Sequence, residues 1–288
     1  MRKKEIKNLT ILESIFLFLT IGLSFVSAGN GCHIDDPECG PIPTTGCDVR
    51  QSTIFIPDDY ELAEGIDICA NNIVLDCGGA ILREHPYRNG IDGEFIQNTV
   101  IKNCDIRAYA RGIHLRFSPN NIIESNLFAG NGYAIFLSSS DGNKITLNGG
   151  VGDSIFVHLN FSNNNEIKSN NLIDVGCSIC AAISLFKSSD NVITLNNMTQ
   201  GMDTGIRIDT LSNNNKVELN NIGNFGVVGI TIASSSENNT ITSNYIKNSG
   251  YGIVIDSDNN FVTSNIIENI AAYGILVAGI PYVRNTFN

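Results

Sequence analysis

Asn143-Lys144-Ile145-Thr146-Leu147-Asn148, Asn165-Glu166-Ile167-Lys168-Ser169-Asn170 and Asn191-Val192-Ile193-Thr194-Leu195-Asn196 repeat one phrase: Asn, an aliphatic two residues on, and a second Asn five residues on. Its first Asn falls at Asn72, Asn98, Asn121, Asn143, Asn165, Asn191, Asn215, Asn239 and Asn260, with spacings of 26, 23, 22, 22, 26, 24, 24 and 21 residues. The aliphatics are Val74, Val100, Ile123, Ile145, Ile167, Ile193, Val217, Ile241 and Val262. The closing Asn residues are Asn103, Asn126, Asn148, Asn170, Asn196, Asn220, Asn244 and Asn265, with Cys77 in the first slot. A unit of this length cannot bury its apolar face alone. It does so by stacking on its neighbours, which makes the chain a solenoid.

A second phrase, small residue-Ile-x-aliphatic, follows in each copy: Gly112-Ile113-His114-Leu115, Ala134-Ile135-Phe136-Leu137, Ser154-Ile155-Phe156-Val157 and Ala182-Ile183-Ser184-Leu185 are its first settings. Gly205-Ile206-Arg207-Ile208, Gly229-Ile230-Thr231-Ile232, Gly252-Ile253-Val254-Ile255 and Gly274-Ile275-Leu276-Val277 continue it. Alternation of period two rich in β-branched residues marks a strand. The segments between are Asn, Ser, Gly and Thr, poor helix formers, and L-x-x-L-x-L spacing is missing, which rejects a leucine-rich repeat. The corner Asn residues are expected in the left-handed conformation and hydrogen-bonded from coil to coil as a ladder. The expected fold is all-β, a solenoid of about nine to ten coils some 45 Å long at about 4.8 Å per coil.

Residues 1–28 read as a cleaved export signal: Arg2, Lys3, Lys4 and Lys7, an apolar run from Ile15 to Val26, then Val26-Ser27-Ala28. The membrane is touched only through this segment, and only if it is retained. The remainder carries 14 basic against 27 acidic residues, so nucleic acid is excluded as a partner. All eight Cys lie in this exported part, which favours disulfides and an extracytoplasmic site. Six of them crowd residues 32–104, a Cys-rich N-terminal cap, and their pairing is open. Cys177-Ser178-Ile179-Cys180 reads as a local disulfide or free thiols. Residues 29–46 form an extended leader, and the solenoid domain takes 47–288. The chain stops partway through a coil at Pro281-Tyr282 to Asn288, so either Tyr282 and Phe287 fold over the end, or the C-terminal coil is an end-to-end contact between copies, or the gene is a shortened relative of a longer protein.

The pattern resembles the right-handed parallel β-helix of the pectate-lyase-like superfamily, and more narrowly the NosD-type, carbohydrate-binding and sugar-hydrolysis repeat family. Asn71-Asn72-Ile73-Val74-Leu75-Asp76-Cys77-Gly78-Gly79 followed by Asn98-Thr99-Val100-Ile101-Lys102-Asn103-Cys104 is similar to that family's first two coils. The resemblance covers about residues 47–285. It implies work across the outward face of the second-phrase strand. There the sequence offers His114, Arg116, Phe136, Phe156, His158, Phe186, Arg207 and Asp209, aromatic faces beside hydrogen-bonding rims suited to sugar. A polysaccharide or surface glycan is the expected partner, and a carbohydrate-binding or surface-structural module the first reading. A polysaccharide lyase, hydrolase or epimerase on the same face is the alternative. A lyase of the superfamily implies calcium, and Asp203, Arg207 and Asp209 are then the catalytic candidates. No close triad of carboxylates is expected in the ladder. NosD itself implies a role in copper-site maturation of a reductase, a third reading. Three Met and scattered His33, His85, His114 and His158 give no copper cluster, and no metal or other cofactor is expected for the binding reading.

Overall fold

The computed structural model describes residues 32–177, 180–278 and 285–287. The signal segment, the start of the leader and Tyr282 lie outside the described residues. Among those described there is no helix. Every coil contributes parallel strands, and the whole is an all-β parallel solenoid of about 10 turns.

One sheet of 11 strands carries the Asn-x-aliphatic phrase, from Thr53–Ile54 through Lys144–Thr146 to Thr286–Phe287. The other two strands of each coil merge into a sheet of 19 strands, because Ile81–Glu94 and Asp105–Arg116 run through the corner without a break. Register is strict. Ile123, Ile145, Ile167, Ile193, Val217, Ile241 and Val262 pair in sequence as one buried column. Such columns remove apolar area from water at about 25 cal/mol per Å².

Two Asn ladders cross this core. Asn148 shows the chemistry: its N–H donates to Asn170 Oδ1 (2.9 Å), and its Nδ2 donates to Ile123 O (2.9 Å) and Asn170 Oδ1 (3.0 Å). Its own Oδ1 accepts from Asn126 N–H and Nδ2. No polar atom of such an Asn is left bare, so a buried amide is tolerated where an unpaired one would cost about 1–3 kcal/mol. The bonding runs from Asn126 to Asn265; the parallel ladder runs from Asn121 through Asn143, Asn165, Asn191, Asn215 and Asn239 to Asn260. Ser118, Ser140, Ser162, Ser188 and Ser212 make a third.

Three expectations are corrected. The left-handed residue is the one before the ladder Asn (Ser125, Leu147, Ser169, Leu195, Leu219, Ser243, Ser264), which frees the Asn side chain to turn inward. In the first two coils the phrase slips by one residue, and a slip of one flips every side chain to the other face. Val100 pairs with Ile122, so Leu75 and Ile101 are the core residues while Val74 and Val100 are only half-buried. Asn103 is consequently not in the ladder. It has φ 56°, and its Nδ2 donates to Asp76 Oδ1 (2.9 Å), while Cys104 N–H donates to Asn126 Oδ1 (3.0 Å).

Cys104 is bonded to Cys77, Cys32 to Cys69, Cys39 to Cys47, and Cys177 to Cys180. The first three staple the opening coils. A crosslink closing 27 residues restricts the unfolded chain by about 3–4 kcal/mol.

Candidate functional site

The outward row of the second-phrase strand begins three coils before His114. Backbone pairing aligns Asp48, Asp67, Asp92, His114, Phe136, His158, Ser184, Arg207, Thr231, Val254 and Leu276. Three aspartates thus stand on successive coils, against the expectation that the ladder holds no close carboxylate triad. The signal was present: Gly65-Ile66-Asp67-Ile68 carries the phrase intact, and Gly46-Cys47-Asp48-Val49 and Gly90-Ile91-Asp92-Gly93 carry it with Cys or Gly replacing one aliphatic.

Asp67 and Asp92 line a cavity of about 340 Å³, together with His33, Asp36, Glu64, Arg88, Glu94 and Arg116. The two carboxyls have opposite tendencies. Burial, then the charges of Asp92, Asp48 and Asp36, pushes Asp67 up to about 7. Burial also presses Asp92 upward, yet it ends below the usual carboxylate range. There the bond and charge of His114, the bond from Asn89 and the charge of Arg116 together prevail. His114 Nδ1 lies 3.0 Å from Asp92 Oδ1, and Asn89 Nδ2 donates to Asp92 Oδ2 (3.0 Å). Arg116 Nη2 donates to Glu94 Oε2 (2.6 Å), Arg88 pairs with Glu64 (3.1 Å), and buried Asp48 pairs with Arg50 (2.6 Å). Two carboxyls one coil apart, with proton affinities shifted in opposite directions, are the arrangement an acid–base pair requires.

Beyond it the face is aromatic. Phe136 is a hub, with Tyr133 at 5.1 Å, His114 at 5.4 Å and His158 at 4.9 Å between ring centroids. The Arg111 guanidinium lies 4.9 Å above the Phe136 ring. Burial, reinforced by the Arg111 charge, holds His158 down at about 4, so its ring is neutral at physiological pH.

The sequence-derived residues distribute as follows. Arg116 lines the acidic cavity and His114 is bonded to Asp92 of that lining; Phe136 and His158 meet in the hub. Phe156 does not face outward. It occupies the slot that Ala134 and Ala182 fill in neighbouring coils, fully buried, with its ring 5.8 Å from Phe128. Gly150 makes the space, since a Cβ there would overlap the Phe156 ring. The signature in that coil therefore begins at Phe156, and His158, not Phe156, pairs with Phe136. Arg207 is spent on buried Asp203 (3.3 Å), and Asp209, one row on beside Phe186, accepts from Thr210 Oγ1 (3.0 Å). These three lie coils away from the cavity. Sequence reasoning also missed Phe95, Phe117 and Phe161, exposed aromatics on the adjoining corner row.

Soft metal donors do not converge among the described residues. Cys32, Asp48 and Cys69 come together, but the two sulfurs are joined as a disulfide and offer no thiolate. His114 is bonded to Asp92, His158 sits in the hub, Met198 is buried and Met202 stands apart on the surface. This donor set does not fit copper.

The same fold occurs in DFA-IIIase from Arthrobacter chlorophenolicus A6 without its lid (16% identity, TM-score 0.61, covering 81% of this chain and 65% of that one). It occurs too in an alginate lyase from Paenibacillus sp. str. FPU-7 (12%, 0.60, 80% and 94%) and in the Dettilon tailspike protein gp208 (14%, 0.58, 82% and 59%). The chain thus spans about 65% of the length of the DFA-IIIase. No curated protein matches it in sequence. The family model described as periplasmic copper-binding protein (NosD) matches residues 61–149 and 149–288, and on that coverage, with its parallel β-helix, the chain belongs to the NosD family.

Proposed function

We propose that the protein is an extracytoplasmic, carbohydrate-active β-helix that engages a glycan along its outward face and cleaves it at the Asp67–Asp92 pair. The observation carrying this reading is the cavity in which these two carboxyls stand on adjacent coils, Asp67 pushed up to about 7 and Asp92 held below the usual carboxylate range. Asp67 gives its proton to the glycosidic oxygen. The Asp92 carboxylate, oriented by His114 and Asn89, stabilises the positive charge growing on the anomeric carbon; water then adds to that carbon, and its proton returns to the pair as the sugar leaves.

Four disulfides and a family described as periplasmic support maturation outside the cytoplasm. The alginate in the name of one solved structure of this fold, a lyase, agrees with the reading. A copper role draws no support from the donor set. Binding without cleavage is the second reading, favoured by the aromatic hub at Phe136. End-to-end pairing of rods belongs with it, through a last coil exposing Ile266, Tyr273, Ile275 and Val277.

The test is a panel of soluble polysaccharides assayed for new reducing or unsaturated ends, with wild type beside Asp67→Asn and Asp92→Asn. Product from wild type alone supports cleavage. Binding with no product from any glycan removes the catalytic reading and leaves the second.

A further inference from the structure

The corner row next to Glu94 and Arg116 is the unusual part of this surface. Phe95, Phe117, Ser139, Phe161 and Lys187 follow one another there, each donating its backbone N–H to the coil above in the same way. Phe95, Phe117 and Phe161 have φ of 56°, 51° and 50°, a region that bulky residues rarely enter, and are 47%, 46% and 48% exposed. Neither burial nor backbone preference accounts for three phenylalanines at such positions.

Their faces are only half covered. Phe95 stacks on Phe117 at 5.1 Å with planes 12° apart, which occupies one face of Phe117. On the far side, Lys187 Nζ lies 4.9 Å above the Phe161 ring, and the Phe186 ring meets Phe161 edge-on at 6.2 Å with planes 79° apart. Ser139 stands between the two rings. Two coil steps separate Phe117 from Phe161, about 9.6 Å. A ring held between two aromatic faces at about 3.5–4.0 Å from each needs roughly 7–8 Å. Arg116, Ser138 and Asn160 immediately precede the three slot residues and form a polar rim alongside. Arg116 Nε is buried without a partner.

We propose that the gap over Ser139, walled by Phe117 and Phe161, is a subsite for one pyranose ring. Its C–H faces stack on the two phenyl rings, and its hydroxyls or carboxylate meet Arg116, Ser138 and Asn160. This rests on the glycan reading above and deepens it. The subsite lies two coils from Asp92, so the ligand is an oligomer whose neighbouring sugars reach the acidic cavity.

Binding is measured by calorimetry with cellohexaose as the neutral probe and a β-1,4-linked mannuronate hexamer as the anionic one, in an Asp67→Asn background so that neither is consumed. Ser139→Phe fills the gap at a position whose neighbours already hold Phe, and should weaken the bound probe by about tenfold or more. Phe117→Ala should do the same, while Ser139→Ala, which leaves the gap open, should stay within about twofold. Which probe binds identifies the rim's partner as hydroxyl or carboxylate. Unchanged affinity in Ser139→Phe, with an unchanged melting curve, overturns the subsite, as does failure of both probes to bind. Activity abolished by Asp92→Asn but with KM unaltered by Ser139→Phe would refute the subsite and keep the cleavage reading. Affinity lost in Ser139→Phe with no product from any glycan would do the reverse.

Discussion

Asp153 occupies a ladder position where its neighbour one coil back, Asn131, carries an amide. Asn131 N–H and Nδ2 both donate to Asp153 Oδ1 (2.8 and 2.9 Å), while Asp153 Oδ2 is buried without a partner. Burial raises this carboxyl to about 6, and the Asn131 bonds offset only part of the effect. Because the folded value lies above the unfolded 3.8, the associated stability is complete below pH 3.8 and lost as pH rises through about 6. About 2 pH units at 1.36 kcal/mol each gives roughly 3 kcal/mol of destabilisation above pH 7. Asp153→Asn removes it. The new amide also gains an acceptor, by analogy with Asn131, whose Nδ2 donates to Ile106 O twenty-five residues back. The residue at that offset from 153 is Phe128. Thermal melts followed by circular dichroism at pH 4 and pH 8 should show the variant close to wild type at the lower pH. At the higher pH it should melt some 6–12 °C above wild type, at about 2–4 °C per kcal/mol. A stability difference that is the same at both pH values refutes the argument.

Gly201→Ala places a methyl where the Phe225 ring lies, and should cost about 1–3 kcal/mol; adding Phe225→Leu should recover most of it, measured as a double-mutant cycle of urea midpoints. Asn170→Ala deletes bonds to Ile145 O and Asn196 Oδ1 and leaves Asn148 N–H and Nδ2 without their acceptor. It should destabilise by about 2–4 kcal/mol, whereas exposed Asn171→Ala should stay within about 0.5 kcal/mol. If Asp67 is the proton donor, kcat/KM falls as pH rises through about 7, and Asp67→Asn flattens that limb of the profile along with the activity.

How much of the site was legible depends on which physical rule set each residue's place. His114, Arg116 and Phe136 were found because alternation along a regular strand assigns their face without further information. Phe156 was misplaced because the same alternation cannot register that Gly150, on another strand, empties a volume that a phenyl ring then fills. Asp48, Asp67 and Asp92 obeyed the phrase, but Cys47, held in a disulfide, and Gly93, whose missing side chain's space is filled by Ile96 and Leu115, blurred it.

The repeat by itself determined that this chain stacks into a parallel β-solenoid with an Asn ladder, because period and phase are local properties that survive without coordinates. It also determined that the N-terminal coils would be crosslinked. Only the tertiary structure decided the one-residue slip that puts Cys104 in place of Asn103, and the opposite shifts of Asp67 and Asp92. It alone set Phe117 and Phe161 on one corner row, two coils apart. Each of these depends on groups from different coils meeting across roughly 5 Å of stacking distance, where packing and mutual electrostatics, not order along the chain, set the outcome.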